Sequence, residues 1–283
     1  VSTLREVLGE QLEANRSSAG ERDAFASHRR RMTALCLRAA APDAEPTLCV
    51  LGAGNANDLE LEPLARRFRA IHLVDLDGDA LERAASRESA ETRARLVLRA
   101  PVDVSGTLDR LERWASLRVT PDELARHPLD TASAVATRLA GPFDVVLSAC
   151  LLTPMQLAVT TVLGDRHPLF EAVRYTVTLS HLTLLARLTA PGGRTLLVSD
   201  LTASDIAPAI LSVPEDELPK LLEPLVARGE VFQVAQPGLL QEIARDAPLA
   251  AELELEAPTQ AWLWHNGATR TFLVYALEGR RSK

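Results

Sequence analysis

A chain of 283 residues with a 47% hydrophobic share can bury a sizeable core, which excludes disorder on the scale of the chain. Its 31 basic and 38 acidic side chains leave a net charge of −7, which argues against a nucleic-acid partner, because duplex binding draws on a basic face. Three widely spaced cysteines, Cys36, Cys49 and Cys150, form no CxxC pair and no His/Cys cluster, so neither a metal site nor a disulfide framework is expected.

In chain order, Leu4, Val7, Leu8 and Leu12 recur at helical spacing, Asn15 to Gly20 breaks the pattern, and a second helix is expected from Glu21 to Ala40. Leu48-Cys49-Val50-Leu51 is a short apolar run of the kind that forms a strand buried on both faces. It ends in Gly52-Ala53-Gly54, and a helix follows. A second such strand, Ile71 to Val74, ends at Asp75, and a third, Leu96 to Leu98, leads to Val102-Asp103-Val104. Helices are expected at Leu108 to Leu117, Pro121 to Arg126 and Thr131 to Ala140. Phe143 to Leu147 is the fourth strand. Helices at Pro154 to Leu163 and Pro168 to Leu188 then reach the turn Ala190-Pro191-Gly192-Gly193 and a fifth strand, Thr195 to Val198.

This alternation means a parallel sheet covered by helices on both faces. After helices at Glu215 to Arg228 and Gly238 to Arg245, two strands, Gln260 to His265 and Thr271 to Leu277, flank Asn266-Gly267 and read as an antiparallel hairpin. No run approaches the ~18 apolar residues of a membrane span, and Val1 to Glu6 carry no apolar signal core. A soluble, cytoplasmic protein with no membrane partner is expected.

The first glycine loop carries the chemistry. In open parallel sheets, ligands lie beyond the carboxyl ends of the strands where strand order reverses, and glycines there admit a ligand close to the backbone. Asp75 closes the next strand, 21 residues after Gly54, where a carboxylate can accept two hydrogen bonds from a ribose diol. Dinucleotides and S-adenosylmethionine are both bound in this way. A dinucleotide site favours glycine or alanine at position 57, where this chain has Asn57.

Taken together, Leu51-Gly52-Ala53-Gly54-Asn55-Ala56, Leu73-Val74-Asp75-Leu76-Asp77, Val102-Asp103-Val104, Phe143 to Ser148 and Leu188 to Arg194 resemble the class I S-adenosylmethionine-dependent methyltransferase family from about Leu48 to Leu277. The resemblance implies a Rossmann-like, seven-stranded, mostly parallel sheet with an antiparallel C-terminal hairpin over residues 43–283, preceded by an N-terminal helical cap over 1–42. It further implies S-adenosylmethionine as cofactor. Gly52, Ala53, Gly54 and Asn55 would cradle it, Asp75 would meet the ribose with Leu76 beside it in the site, Asp103 and Val104 would meet the adenine, and Ser148 would face the methionine end. Two positions depart from the family pattern. Val50 replaces a common acid and Ala56 replaces the last glycine. The cofactor's ammonium group then needs another partner, for which Asp58 and Glu60 are candidates; otherwise Asp58 caps the following helix.

Methyl transfer from a sulfonium needs alignment first, and a base only where the acceptor must lose a proton. His167, Tyr175, His181 and Asp200 are the candidates for such a base near the expected cofactor face, each read first as a capping, packing or surface residue, so the catalytic residues stay unassigned. Trp262 and Trp264 read as packing residues, with a substrate clamp as the alternative, Cys150 as a small buried side chain, and His28 to Arg31 as a solvated helix face. An arginine of that run reaching a cofactor or substrate carboxylate is the alternative. A small molecule or short peptide is the expected acceptor. The other classes left open are transfer of a different group of the same cofactor, a non-catalytic binding module, and an NAD-dependent oxidoreductase.

Overall fold

The computed structural model describes residues 4–42, 45–233, 235–246, 249–266 and 270–282. Its strands are β1 (Thr47–Leu51), β2 (Ala70–Val74), β3 (Leu96–Arg99), β4 (Phe143–Ala149), β5 (Thr189–Ala203), β6 (Leu253–Leu255), β7 (Gln260–Asn266) and β8 (Arg270–Arg281). The helices are α1 (Leu4–Ser17), α2 (Ala26–Ala39), α3 (Leu61–Arg67), α4 (Gly78–Ser86), α5 (Ala90–Arg93), α6 (Leu108–Ala115), α7 (Pro121–Leu139), α8 (Leu152–Leu163), α9 (Phe170–Leu188), α10 (Leu218–Arg228) and α11 (Pro237–Ala244).

All strands join one sheet in the order β3-β2-β1-β4-β5-β8, with β6 and β7 both paired to the outer side of β8. β1 to β5 are parallel and β8 is antiparallel to β5. The sheet thus has the seven expected positions. Its edge position is split between β6 and β7 by residues 256–259, where Pro258 has no N–H to give to a ladder. The hairpin is present, but Gly267 of its turn lies outside the described residues.

Alternation along β1 divides the core. Leu48 and Val50 pack with Met32, Leu35 and Cys36 of α2 and Leu61 and Leu64 of α3. Cys49 and Leu51 face Val159 of α8 and Val177, Leu184 and Leu185 of α9. Among the described residues no helix is long and apolar enough to cross a membrane.

Three expectations are corrected. The second helix starts at Ala26, not Glu21, because residues 22–25 form tight turns with i to i+3 bonds such as Ala24 N–H to the Glu21 carbonyl, from which Arg22 donates to the carbonyl of Ala56. The helices expected at Pro121–Arg126 and Thr131–Ala140 are one. Pro128 lies inside α7, whose buried stripe His127, Pro128, Thr131, Ala132, Val135 and Leu139 carries it past the missing backbone bond. The Ala190–Gly193 turn is a bulge within β5, between the pairs Phe143–Thr189 and Val145–Arg194.

Candidate functional site

Strand order reverses between β1 and β4, since β1 pairs β2 on one side and β4 on the other. A cavity of about 870 Å³ opens beyond their carboxyl ends. The loops after β1 to β4 form its floor, α1 and α8 cover it, and Trp264 and Phe272 close one side.

Gly52 and Gly54 have φ of 75° and 47°, a region that disfavours side chains. Added Cβ atoms would meet Leu151 Cδ2 at 2.5 Å and Asn15 Oδ1 at 2.8 Å respectively. Ala56, at the third glycine position of the resemblance, adopts the same backbone region with φ of 49° and buries its methyl group. The Gly54 N–H donates to Asp75 Oδ2 at 2.8 Å, and the Asp77 N–H donates to Asp75 Oδ1 at 2.9 Å. The loop therefore fixes the Asp75 carboxylate at the cavity wall. Burial raises its pKa, and the two amide donors pull in the opposite direction.

Helix α3 begins only at Leu61, with Glu60 as its N-cap residue. The glycine loop is therefore not followed directly by a helix N-terminus, and the segment between them carries the acidic residues Asp58 and Glu60, of which Asp58 lines the cavity. Asp58 does not cap α3. Its carboxylate is 21% exposed, lines the cavity, and has Oδ1 at 3.4 Å from His28 Nε2. Burial raises its pKa to about 7, against the charge of Arg29.

Of the cofactor-contact residues expected from sequence, Gly52, Ala53, Gly54, Asn55, Asp58, Asp75, Leu76, Asp103 and Val104 all line the cavity. Asp103 is held by its own loop, accepting from the Ser105 N–H and Oγ and from the Leu108 N–H. Ser148 does not line the cavity. Its Oγ lies 2.7 Å from His181 Nε2 in the layer between β4 and α9.

The structure does not bring His167, Tyr175 or His181 to the cavity. His167 accepts from the Leu169 N–H through Nδ1 and donates to the Ala115 carbonyl through Nε2. Tyr175 is 42% exposed and donates to Asp246. His181 is fully buried. Asp200 does line the cavity, with Thr153 Oγ1 donating to its Oδ1 at 2.9 Å.

The basic run divides along the helix. His28 and Arg29 are buried, Arg30 is exposed, and Arg31 pairs with Glu215. None of these arginines lines the cavity. Sequence reasoning also missed the grip of α1 and the turn after it on the glycine loop. Asn55 Nδ2 donates to the carbonyl of Asn15 at 2.6 Å, and Asn57 Nδ2 donates to that of Ser18 at 2.8 Å. Trp264 is a wall of the cavity as well as a packing residue. Among the described residues no cluster of His, Cys, Asp and Glu could hold a metal ion.

No protein-family model matches the sequence, and no curated protein does. Solved structures do match. The YcgJ protein of Bacillus subtilis is 14% identical, with 90% of this chain and 99% of that one covered and a TM-score of 0.47. Magnesium protoporphyrin IX methyltransferase of Synechocystis with bound SAH is 12% identical, with 97% and 87% covered and a TM-score of 0.45. An O-methyltransferase family protein of Burkholderia thailandensis is 15% identical, with 93% and 60% covered and a TM-score of 0.44. Solved methyltransferases are thus among the structures to which this chain is similar.

Proposed function

We propose that the cavity binds S-adenosylmethionine and that the protein transfers its methyl group to a small-molecule or short-peptide acceptor. The observation that carries this reading is the Asp75 carboxylate, fixed by the Gly54 amide at the edge of a glycine-cradled cavity. A second supports it. Asp58 Oδ1 is buried without a hydrogen-bond partner, which suits an incoming ammonium group. The volume is within the usual ~300–1,000 Å³ for small-ligand sites.

In this reading Asp75 accepts from the ribose hydroxyls, Leu76 and Val104 flank the adenine, and Asp58 meets the amino group. When bound, the cofactor supplies a methyl group already activated by a sulfonium. The protein's part is to align the acceptor and exclude water, for which α1 and α8 form the roof. Where the acceptor carries a proton to be lost, we take Asp200, the one base candidate from the sequence that lines the cavity, as the group that accepts it. The late start of α3 weighs against a dinucleotide.

Isothermal titration with S-adenosylmethionine, S-adenosylhomocysteine and NAD tests the cofactor. Binding of the first two, lowered at least tenfold by Asp75→Ala, is expected. Binding of NAD alone overturns the reading. An acceptor screen with turnover only on RNA or DNA overturns the small-molecule part.

A further inference from the structure

Val50 leaves the ammonium group of the proposed cofactor without the acid that would ordinarily precede the glycine loop. Asp58 lies on the cavity instead, and its surroundings are built in an unexpected way. Trp262, fully buried on β7, donates from Nε1 to His28 Nδ1 at 2.9 Å. An indole N–H is a donor only, so Nδ1 of His28 must be an acceptor, and the proton of the neutral ring sits on Nε2. That nitrogen lies 3.4 Å from Asp58 Oδ1, in contact without a formed hydrogen bond, and neither atom has a hydrogen-bond partner among the described residues. The imidazole is stacked on Trp264 with centroids 4.8 Å apart and planes at 22°, so its orientation is held from a second side.

We propose that His28, locked in its Nε2–H form by Trp262, is a positioning residue that aims the Asp58 carboxylate at the amino group of the bound cofactor. This rests on the cofactor reading above. It relocates the ammonium contact from the end of β1 to a contact between the loop and α2, and it explains why a histidine is buried at the start of a basic run. His28 stays neutral, since burial lowers its pKa to about 3. It therefore orients Asp58 as a dipole and does not neutralise it as an ion pair would. Arg29 on α2 acts on Asp58 and pairs with Glu60, and Cys150 after β4 feels the charges of both Asp58 and Asp200 of β5.

The test compares two probes by calorimetry between pH 6 and 8. S-Adenosylhomocysteine carries the amino group, and methylthioadenosine lacks it. With the Asp58 pKa near 7, affinity of the intact protein for S-adenosylhomocysteine should rise about tenfold from pH 6 to 8, and affinity for methylthioadenosine should stay level. Asp58→Asn should abolish the rise.

His28→Leu and Trp262→Phe should weaken S-adenosylhomocysteine about tenfold and move the midpoint of its pH profile, with methylthioadenosine unaffected. His28→Gln should restore both, because its amide carries an acceptor and a donor at nearly the spacing of the two ring nitrogens. If His28→Leu and Trp262→Phe bind S-adenosylhomocysteine with unchanged affinity and midpoint, the positioning role is wrong and the cofactor reading stands. If they lose both probes equally, His28 is structural only and the proposal falls. If the unaltered protein binds neither probe, the cofactor reading itself fails.

Discussion

His181 Nε2 lies 2.7 Å from Ser148 Oγ, and both side chains are fully buried between β4 and α9. The pair joins the strand that ends at the cavity to the long helix beneath it, so this candidate base from the sequence sits in a packing contact away from the cavity. His181→Leu should leave Ser148 Oγ unpaired and cost about 1–3 kcal/mol of stability at pH 7. Cofactor affinity should not change.

The pH dependence has a definite sign. Burial lowers the His181 pKa to about 4, below its unfolded value of 6.5. The unfolded chain therefore takes up a proton first as pH falls. The histidine's contribution is complete above pH 6.5 and is lost as the pH drops towards 4. The stability gap between the unaltered protein and His181→Leu, read from urea midpoints, should narrow over that interval. A gap that widens would show that the ring is charged in the folded state.

Gly54→Ala places a methyl group where Asn15 Oδ1 now sits and holds a non-glycine residue at φ of 47°. The backbone part costs about 1–2 kcal/mol, and the contact should lift α1 from the loop. Asn15→Ala alone should be mild. Combined with Gly54→Ala it should recover part of the loss, because the collision goes while the strained φ remains. Strict additivity of the two melting shifts would mean that α1 does not rest on Gly54.

The parts legible in the sequence are those set by local periodicity. Apolar runs at β1, β2 and β4 and the fixed offset from Gly54 to Asp75 locate the sheet and the cavity floor, because chain order alone brings strand ends together. Asn15 was not legible. Its contact with the loop crosses 40 residues and depends on how α1 docks. Pro128 misled because its local cost was outweighed by the stripe it helps to bury. His28 did carry a signal. It stands four and seven residues before Met32 and Leu35, on the apolar side of α2, but the arginines beside it hid that spacing.

Asn55 should matter for the roof more than for the floor. Its Nδ2 donates to the Asn15 carbonyl at 2.6 Å and to Ser18 Oγ at 3.3 Å, and its Oδ1 accepts from Arg83 Nε at 3.1 Å. Asn55→Ala removes all three bonds, each worth about 1 kcal/mol. Hydrogen exchange should speed up across α1 with little change in β1 or β4. Uniform acceleration across the sheet would mean that α1 and the core open as one unit.

Asp200 supplies a test that needs no acceptor. Burial raises its pKa to about 6, while the Thr153 hydroxyl at 2.9 Å and the charge of Arg270 hold it down. Thr153→Val removes the hydroxyl and keeps the shape, so the ionised form loses its donor and the pKa should climb. Carbon-13 carboxylate NMR should give a midpoint near 6 in the unaltered protein and a higher one in the variant. Because the folded-state pKa is above the unfolded value of 3.8, ionising Asp200 disfavours the fold, and its contribution to stability declines as pH rises through 6. Thr153→Val should therefore extend that decline to higher pH, with its onset near 3.8 unchanged. Once an acceptor is found, a rate that depends on Asp200 taking a proton should have its acidic limb move by the same amount. A midpoint unmoved by Thr153→Val would remove the hydroxyl from the account, and a rate limb that stayed put while the midpoint moved would remove Asp200 as the base.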